Sequence, residues 1–320
     1  MRRSAAPAPR MKQTARASAW EIEMPPRLAI NPLTWTNDDM PELGAETPLE
    51  TCLAEARLAG FAGVELGNKF PRNADALRPI LARHGLALAS GWYGSRLLER
   101  DVDAEMAAAE PHIALLAAMG CTAMVHAEVS RAVHGERATP LARRPVLSDA
   151  DWALLAPRLD EMARRVAARG LTLAYHHHMG TVVETAAEVD RLMAMTRYVG
   201  LLLDTGHLTV AGGDPLAAAR RHAGRIAHVH CKDVRLAVMQ AARRDGLSFL
   251  DAVLQGMFTV PGDGGVDFAP VFAALAEGGY AGWLVVEAEQ DPAKAHPLTY
   301  ARMGHDHVAA LAAAAWPAAC

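Results

Sequence analysis

A chain of 320 residues, 51% hydrophobic and 21% charged, has the material for a large core, and its formal net charge of −4 offers no broad basic footprint for nucleic acid. The length suits either two average domains or one closed α/β barrel, which needs about 250 residues plus insertions. Cys52, Cys121, Cys231 and Cys320 are too scattered for a disulfide scaffold, and charges or prolines break every apolar run short of the roughly 18 residues a bilayer demands, so a soluble protein with reduced thiols in the cytoplasm is expected.

Residues 1–26 are rich in Ala, Arg and Pro and lack the apolar stretch of a secretory signal; they are expected to form a disordered extension, and Glu21, Glu23 and the prolines argue against an import leader. From residue 27 onward, short apolar runs alternate with longer segments of helical spacing, the pattern of a parallel sheet with crossover helices. Strands are predicted at 28–31, 63–66, 86–90, 122–126, 171–176, 199–204, 226–230 and 283–287, about eight, which is the number that closes a barrel. The first helix should open on Thr47-Pro48-Leu49-Glu50, a capping hydroxyl followed by a first-turn proline and an early carboxylate, and stop at Gly60. Gly85, Gly120 and Gly170 each precede a strand, as left-handed C-terminal caps do. Amphipathic helices are predicted at 104–119, 151–168, 184–195 and 215–222. After the seventh strand come one helix at 236–254, a turn at Pro261-Gly-Asp-Gly-Gly265 and a helix at 268–276. No linker interrupts the alternation, so 27–316 reads as a single (β/α)8 TIM-barrel domain. An open doubly wound sheet would want a glycine-rich loop after its first strand, and 31–35 contains no glycine.

In a barrel the strand C-termini point into the active site, and here those ends are densely polar. Asp204, His230 and Glu287 come from three consecutive strand ends and offer the mixed oxygen and nitrogen donors that manganese, cobalt or zinc accept. His176, His177 and His178 cannot all ligate one ion, because neighbours on a strand point to opposite faces; His176 and His178 share a face, and His177 is expected to pack or hydrogen-bond. The same alternation pairs Glu287 with Glu289 and His228 with His230. Gly262-Asp-Gly-Gly265 reads as a plain turn rather than a phosphate cradle. Trp35, Trp92 and Tyr93, at strand ends, could stack on a ring substrate or simply pack.

These segments resemble the myo-inosose-2 dehydratases. The resemblance is carried by Asn31-Pro-Leu-Thr-Trp-Thr-Asn-Asp-Asp, Val64-Glu-Leu-Gly-Asn-Lys-Phe-Pro, Ser90-Gly-Trp-Tyr and Tyr175-His-His-His-Met-Gly-Thr. It continues through Leu203-Asp-Thr-Gly-His, His228-Val-His-Cys-Lys-Asp-Val-Arg, Ser248-Phe-Leu-Asp, Phe258-Thr-Val-Pro-Gly-Asp-Gly and Trp283-Leu-Val-Val-Glu-Ala-Glu-Gln-Asp-Pro, from about residue 28 to the final helix. It implies a xylose-isomerase-like barrel whose last four strands ligate a divalent metal through Glu, Asp, His and Glu. Asp204, His230 and Glu287 match three of these, and His176 stands where many relatives place the first glutamate, leaving His176, His178 and Glu128 open as the fourth ligand. The resemblance also likens His207 to a substrate-contacting histidine and Lys232 and Arg235 to a polar lid. The implied substrate is scyllo-inosose, a cyclic polyol ketone dehydrated to a trihydroxycyclohexane dione in inositol catabolism; cobalt or manganese is the implied metal, and glutathione is associated with the family.

Loss of water beside a ketone starts with removal of the α-proton, eased by a positive centre near the carbonyl oxygen. His178, His207 and Glu289 are the candidate bases, and Lys232 or a histidine would protonate the leaving hydroxyl. Asn31, Trp35, Glu65 and Lys69, together with Trp92, Glu128 and Arg235, are expected around the remaining ring hydroxyls. The alternatives are a metal-dependent sugar or keto-sugar isomerase or epimerase on the same barrel, or a silent polyol-binding barrel. Neither a nucleic-acid nor a membrane partner is expected; a homo-oligomer is compatible with the sequence.

Overall fold

The computed structural model describes residues 25–317. The expected disordered extension falls almost wholly on residues outside this range, as does Cys320. Ten strands are present among the described residues: β1 (Arg27–Ile30), β2 (Gly63–Leu66), β3 (Ala87–Ser95), β4 (Ala123–Glu128), β5 (Thr172–His176), β6 (Gly200–Asp204), β7 (Ile226–Cys231), β8 (Asp233–Val234), β9 (Phe258–Thr259) and β10 (Trp283–Val286). Eight of them close into a parallel barrel in the order β1-β10-β7-β6-β5-β4-β3-β2, while β8 and β9 form a separate antiparallel pair. No described helix is long and apolar enough to cross a membrane.

Helices fill the crossovers: α1 (Leu49–Ala59), α2 (Ala74–His84), α3 (Val102–Ala118), α4 (Asp149–Ala167), α5 (Ala186–Met195), α6 (Thr205–Val210), α7 (Pro215–Arg221), α8 (Leu236–Arg244), α9 (Phe249–Leu254), α10 (Phe268–Glu277) and α11 (Pro297–Ala315). Their ends follow local chemistry. Ser148 and Asp151 make a reciprocal capping box on α4, Thr185 and Glu188 another on α5, and Gly60 and Gly85 close α1 and α2 with φ of 108° and 64°.

Three expectations need correction. Thr47 does not cap α1: Pro48 occupies the N-cap and makes no side-chain bond. The helix expected at 236–254 is two, α8 and α9, because the chain turns at Gly246 (φ 65°) and Ser248 starts a new helix by accepting from the Asp251 N–H. Strand β3 runs on to Ser95 instead of stopping near 90, paired from Trp92↔Val125 to Ser95↔Glu128; its Gly and Ser residues gave no strand signal.

Two apolar clusters matter for the site. The main one lies between barrel and helices; Leu53, Leu155, Leu192 and Phe272 in it are fully buried. The second roofs the C-terminal end of the barrel, where Met40, Met179, Met239, Phe249 and Phe258 pack together around the β8–β9 pair. The turn expected at 262–265 belongs to this roof. Its N–H groups bind an anion that is internal: the Asp233 carboxylate accepts from Gly262, Gly264 and Val266 at 2.9–3.1 Å.

Candidate active site at the barrel mouth

Register places the polar strand ends at one level. Asp204 pairs with His230 across β6–β7, and Glu287 follows Val286, which is level with Cys231. The side chains of His176, Asp204, His230 and Glu287 converge, each offering one donor atom, with all four atoms within 4.8 Å of one another.

Each donor atom is held facing the other three. Asp204 divides its oxygens: Oδ1 accepts from the His207 N–H (2.7 Å) at the start of α6, while Oδ2 is buried without a hydrogen-bond partner. The His176 Nδ1–H donates to the His177 carbonyl (2.8 Å), which leaves the Nε2 lone pair facing Asp204 Oδ2 at 3.5 Å. His230 turns Nε2 toward Glu65 (3.2 Å) and Nδ1 toward Glu287 Oε2 (2.6 Å); Nδ1 counts among the buried atoms without an aligned hydrogen bond and is the nitrogen that faces the other three donors. Two nitrogens and two carboxylate oxygens, two of the four atoms orphaned in a buried site, fit a divalent transition metal.

Beside this group lies a second one of His178, His207 and Glu289. Lys232 joins the two: its Nζ is 2.7 Å from Glu289 Oε2, 2.9 Å from Glu287 Oε1 and 2.9 Å from His207 Nε2, and the side chain is wholly buried. Burial would push its ammonium toward neutrality, but Asp204, Glu287 and Glu289 outweigh that and hold it charged, well above the usual lysine value. Sequence accounts for its path. A Cβ on Gly206 would stand 2.5 Å from Lys232 Cγ, and Thr205 Oγ1 donates to the Lys232 carbonyl (2.7 Å).

The electrostatics sort the histidines. Burial depresses His176, His178 and His207 well below the ordinary imidazole value, so all three are neutral. Burial acts on His230 in the same sense, but the Glu287 and Glu65 carboxylates overcome it and raise the ring well above that value. Such a held proton is what a cation would displace. His178 Nδ1–H donates to the Met179 carbonyl (2.8 Å), leaving its Nε2 lone pair 3.9 Å from Glu289 Oε1.

A cavity of about 100 Å³ covers both groups; Asn31, Glu65, Trp92, His176, His178, His230, Glu287 and Glu289 line it. Asn31 donates to Glu65 (2.8 Å) and Glu287 (3.2 Å), and the indole of Trp92 stands edge-on to His176 and His178. Asp204, His207 and Lys232 lie just behind that wall, wholly or almost wholly buried.

Four residues expected at the substrate are engaged elsewhere. Trp35 is buried with its indole N–H on Glu55 (2.6 Å). Lys69 donates to the carbonyls of Gly44 and Ala45 at 2.9 and 2.7 Å, pinning the loop after β1. Glu128 accepts from Ser95 Oγ and the Leu97 N–H, both at 2.7 Å, and from the Ser130 N–H. Arg235 pairs with Asp263 (2.6 Å) and braces the 256–263 turn. Each reached a polar barrel end in sequence, but backbone carbonyls and carboxylates on neighbouring loops claim them. Of the three candidates for the fourth ligand, the structure brings His176 to the group; His178 belongs to the second one and Glu128 to the β3–β4 loops. His177 turns outward and its Nε2 accepts from the Asp204 N–H (3.4 Å).

The cavity also contains Asp38, Asp39 and His134, which the strand-end reasoning passed over. Asp38 and Asp39 stood within a quoted motif, whereas His134 lies in a long polar loop with no local signal.

Comparison with known proteins agrees with this architecture. The profile of the family described as xylose isomerase-like TIM barrel matches residues 53–311. The chain is 58% identical over 290 residues to the rhizopine catabolism protein MocC of Rhizobium meliloti, covering 90% of this chain and 89% of that one. It is 45% identical to the inosose dehydratase of Geobacillus thermodenitrificans (88% and 96% covered) and 42% identical to that of Clostridium tetani (90% and 97%). Among solved structures, the zinc-bound IOLI protein superposes with a TM-score of 0.64 at 16% identity (91% and 98% covered), and an L-ribulose 3-epimerase with 0.62 at 20% (91% and 95%); these share the fold. The chain belongs to the xylose isomerase-like TIM-barrel family and, within it, to the group of the inosose dehydratases and MocC.

Proposed function

We propose that the protein is an inosose dehydratase, a hydro-lyase that removes water from scyllo-inosose to give a trihydroxycyclohexane dione. The observation that carries this is identity of 42–46% over most of the chain to proteins named inosose dehydratase, together with a buried His-Asp-His-Glu donor group at the barrel mouth. The same reading places the activity in inositol catabolism and gives the site a divalent cation, manganese or cobalt, held by His176, Asp204, His230 and Glu287. When bound, that cation supplies Lewis acidity toward a carbonyl and an adjacent oxygen. No residue is assigned to glutathione.

The residues around it divide the remaining work. His178 takes the α-proton at Nε2: it is neutral, its tautomer is fixed by the Met179 carbonyl, and its lone pair faces the cavity group. His207 is less suited, because its Nε2 already meets the Lys232 ammonium. Lys232, fixed by Glu287 and Glu289, supplies a permanent positive charge behind the reacting carbons. Asn31 and Glu65 offer a donor and acceptors for ring hydroxyls, and Trp92 an apolar wall.

The test is incubation of the metal-loaded protein with scyllo-inosose. Loss of one water with new ultraviolet absorbance supports the reading; recovery of an isomer of unchanged mass would replace it with an epimerase. The higher identity to MocC favours a second reading of biological role, in rhizopine catabolism, which growth of a gene-deleted strain on rhizopine would test.

A further inference from the structure

Elimination needs a proton for the departing oxygen as well as a base for the carbon, and the groups above leave that proton unassigned. We propose that Asp39 is the general acid that protonates the leaving hydroxyl, an assignment that rests on the dehydratase reading.

Asp39 lies in the loop after β1 and lines the same cavity as Glu289, His178 and His134. Its position is built. The buried side chain of Asn37 accepts from the Asp39 and Met40 N–H groups at 2.9 and 2.8 Å, fixing the turn, and Met40 is 3% exposed in the roof cluster with Met179 and Phe258. The loop is therefore anchored on both sides of the carboxylate.

Among the described cavity carboxylates, Asp38 and Asp39 are the two outside the ion-pair network, and Asp39 is the one whose backbone turn is fixed by Asn37. Glu65 is held by His228 and Asn31, and Glu287 and Glu289 by Lys232. Desolvation raises the proton affinity of Asp38, but there the Asn68 N–H and the Arg72 charge oppose the rise. Asp39 lines the cavity from a solvent-exposed position with no side-chain hydrogen bond; partial desolvation raises its proton affinity, His134 and Lys232 oppose this, and Glu289 adds to it. A carboxyl whose proton affinity is raised at a cavity is suited to donate a proton there.

The step balances without an oxidant or reductant. The α C–H bond breaks as His178 Nε2 takes the proton, and its electron pair forms the enolate double bond while the carbonyl π pair moves onto oxygen; that pair then returns to re-form the carbonyl and the enolate pair shifts into the new double bond to the β-carbon. The β C–O bond breaks with its pair on oxygen, which takes the Asp39 proton and departs as water. His178 then loses its proton to solvent, and the Asp39 carboxylate regains one from it.

The experiment compares the metal-loaded protein with Asp39→Asn in D2O, after circular dichroism and metal content show that the variant is folded and loaded. Three rates are read with a keto-inositol: water loss, deuterium uptake at the α-carbon of recovered substrate, and fluoride release from an analogue bearing β-fluorine in place of the hydroxyl. Asp39→Asn is expected to lose about 10²–10³-fold in water loss. It should still wash deuterium into substrate at a rate near the normal turnover, and release fluoride within a few-fold of the unaltered protein. Undiminished water loss, or a parallel fall in all three rates, would overturn the assignment. If the unaltered protein shows neither exchange nor water loss, it is the dehydratase reading that fails.

Discussion

The Nε2 of His230 lies 3.2 Å from Oε2 of Glu65, on the edge of the ring opposite the Nδ1 that faces Glu287 and Asp204. Glu65 comes from β2 and His230 from β7, so a carboxylate across the barrel sets which nitrogen of a candidate ligand carries the proton. Glu65→Gln is expected to weaken Mn²⁺ or Co²⁺ affinity about 10–100-fold, with the fold intact. Calorimetric titration of metal-stripped protein reads this directly, and an unchanged affinity would remove Glu65 from that role.

Asp204 contributes the only fully buried carboxylate of the four-residue group, with Oδ2 unpartnered. Asp204→Ala should abolish metal retention and turnover together. Metal analysis of the purified variant alongside a dehydration assay would decide; a metal-free variant with full activity sinks the scheme.

Lys232 is a buried cation among Asp204, Glu287 and Glu289. Removing one partner of such a network leaves charges uncompensated, which costs about 3–5 kcal/mol. Lys232→Met should therefore lower the denaturant midpoint sharply in metal-stripped protein. Adding Mn²⁺ should recover part of the loss, since a cation would restore positive charge near the same carboxylates. A midpoint indifferent to the substitution would contradict the charge assignment.

His126 is fully buried between Tyr93 and Tyr175, with neither ring nitrogen partnered, and burial drives it down from 6.5 to about 3. The unfolded chain binds a proton near 6.5 that the folded one refuses until about 3, so stability falls with falling pH across that window. The slope from this ring approaches about 1.4 kcal/mol per pH unit at full effect. His126→Phe should lose less stability than the unaltered protein between about pH 7 and about pH 5, as urea titrations at the two values would show. Equal losses would mean the ring is already protonated or solvated in the native state.

Lys69 pins the 44–47 loop through backbone carbonyls rather than facing the cavity. Lys69→Met should reduce stability by about 1–3 kcal/mol while leaving KM within a factor of about two; thermal melts and steady-state kinetics separate the two effects. A large rise in KM with an unchanged melting temperature would return Lys69 to the substrate.

The alternation of apolar runs with helical segments was enough to place all eight barrel strands, because short continuous apolar runs buried on both faces and a 3.6-residue period with glycine stops leave distinct traces. The same strand logic marked out Asp204, His230 and Glu287 and the shared face of His176 and His178, since alternation fixes facing within one strand. Which strands stand at the same height is a matter of barrel closure, and that decided the rest. Closure put His176 rather than His178 or Glu128 with the other three donors, ran Lys232 between Glu287 and Glu289, and turned Lys69, Arg235, Trp35 and Glu128 to structural partners. Asp39 and His134 came to the cavity on loops far apart in the chain, and no local pattern of residues encodes where a loop will fold back over a barrel mouth.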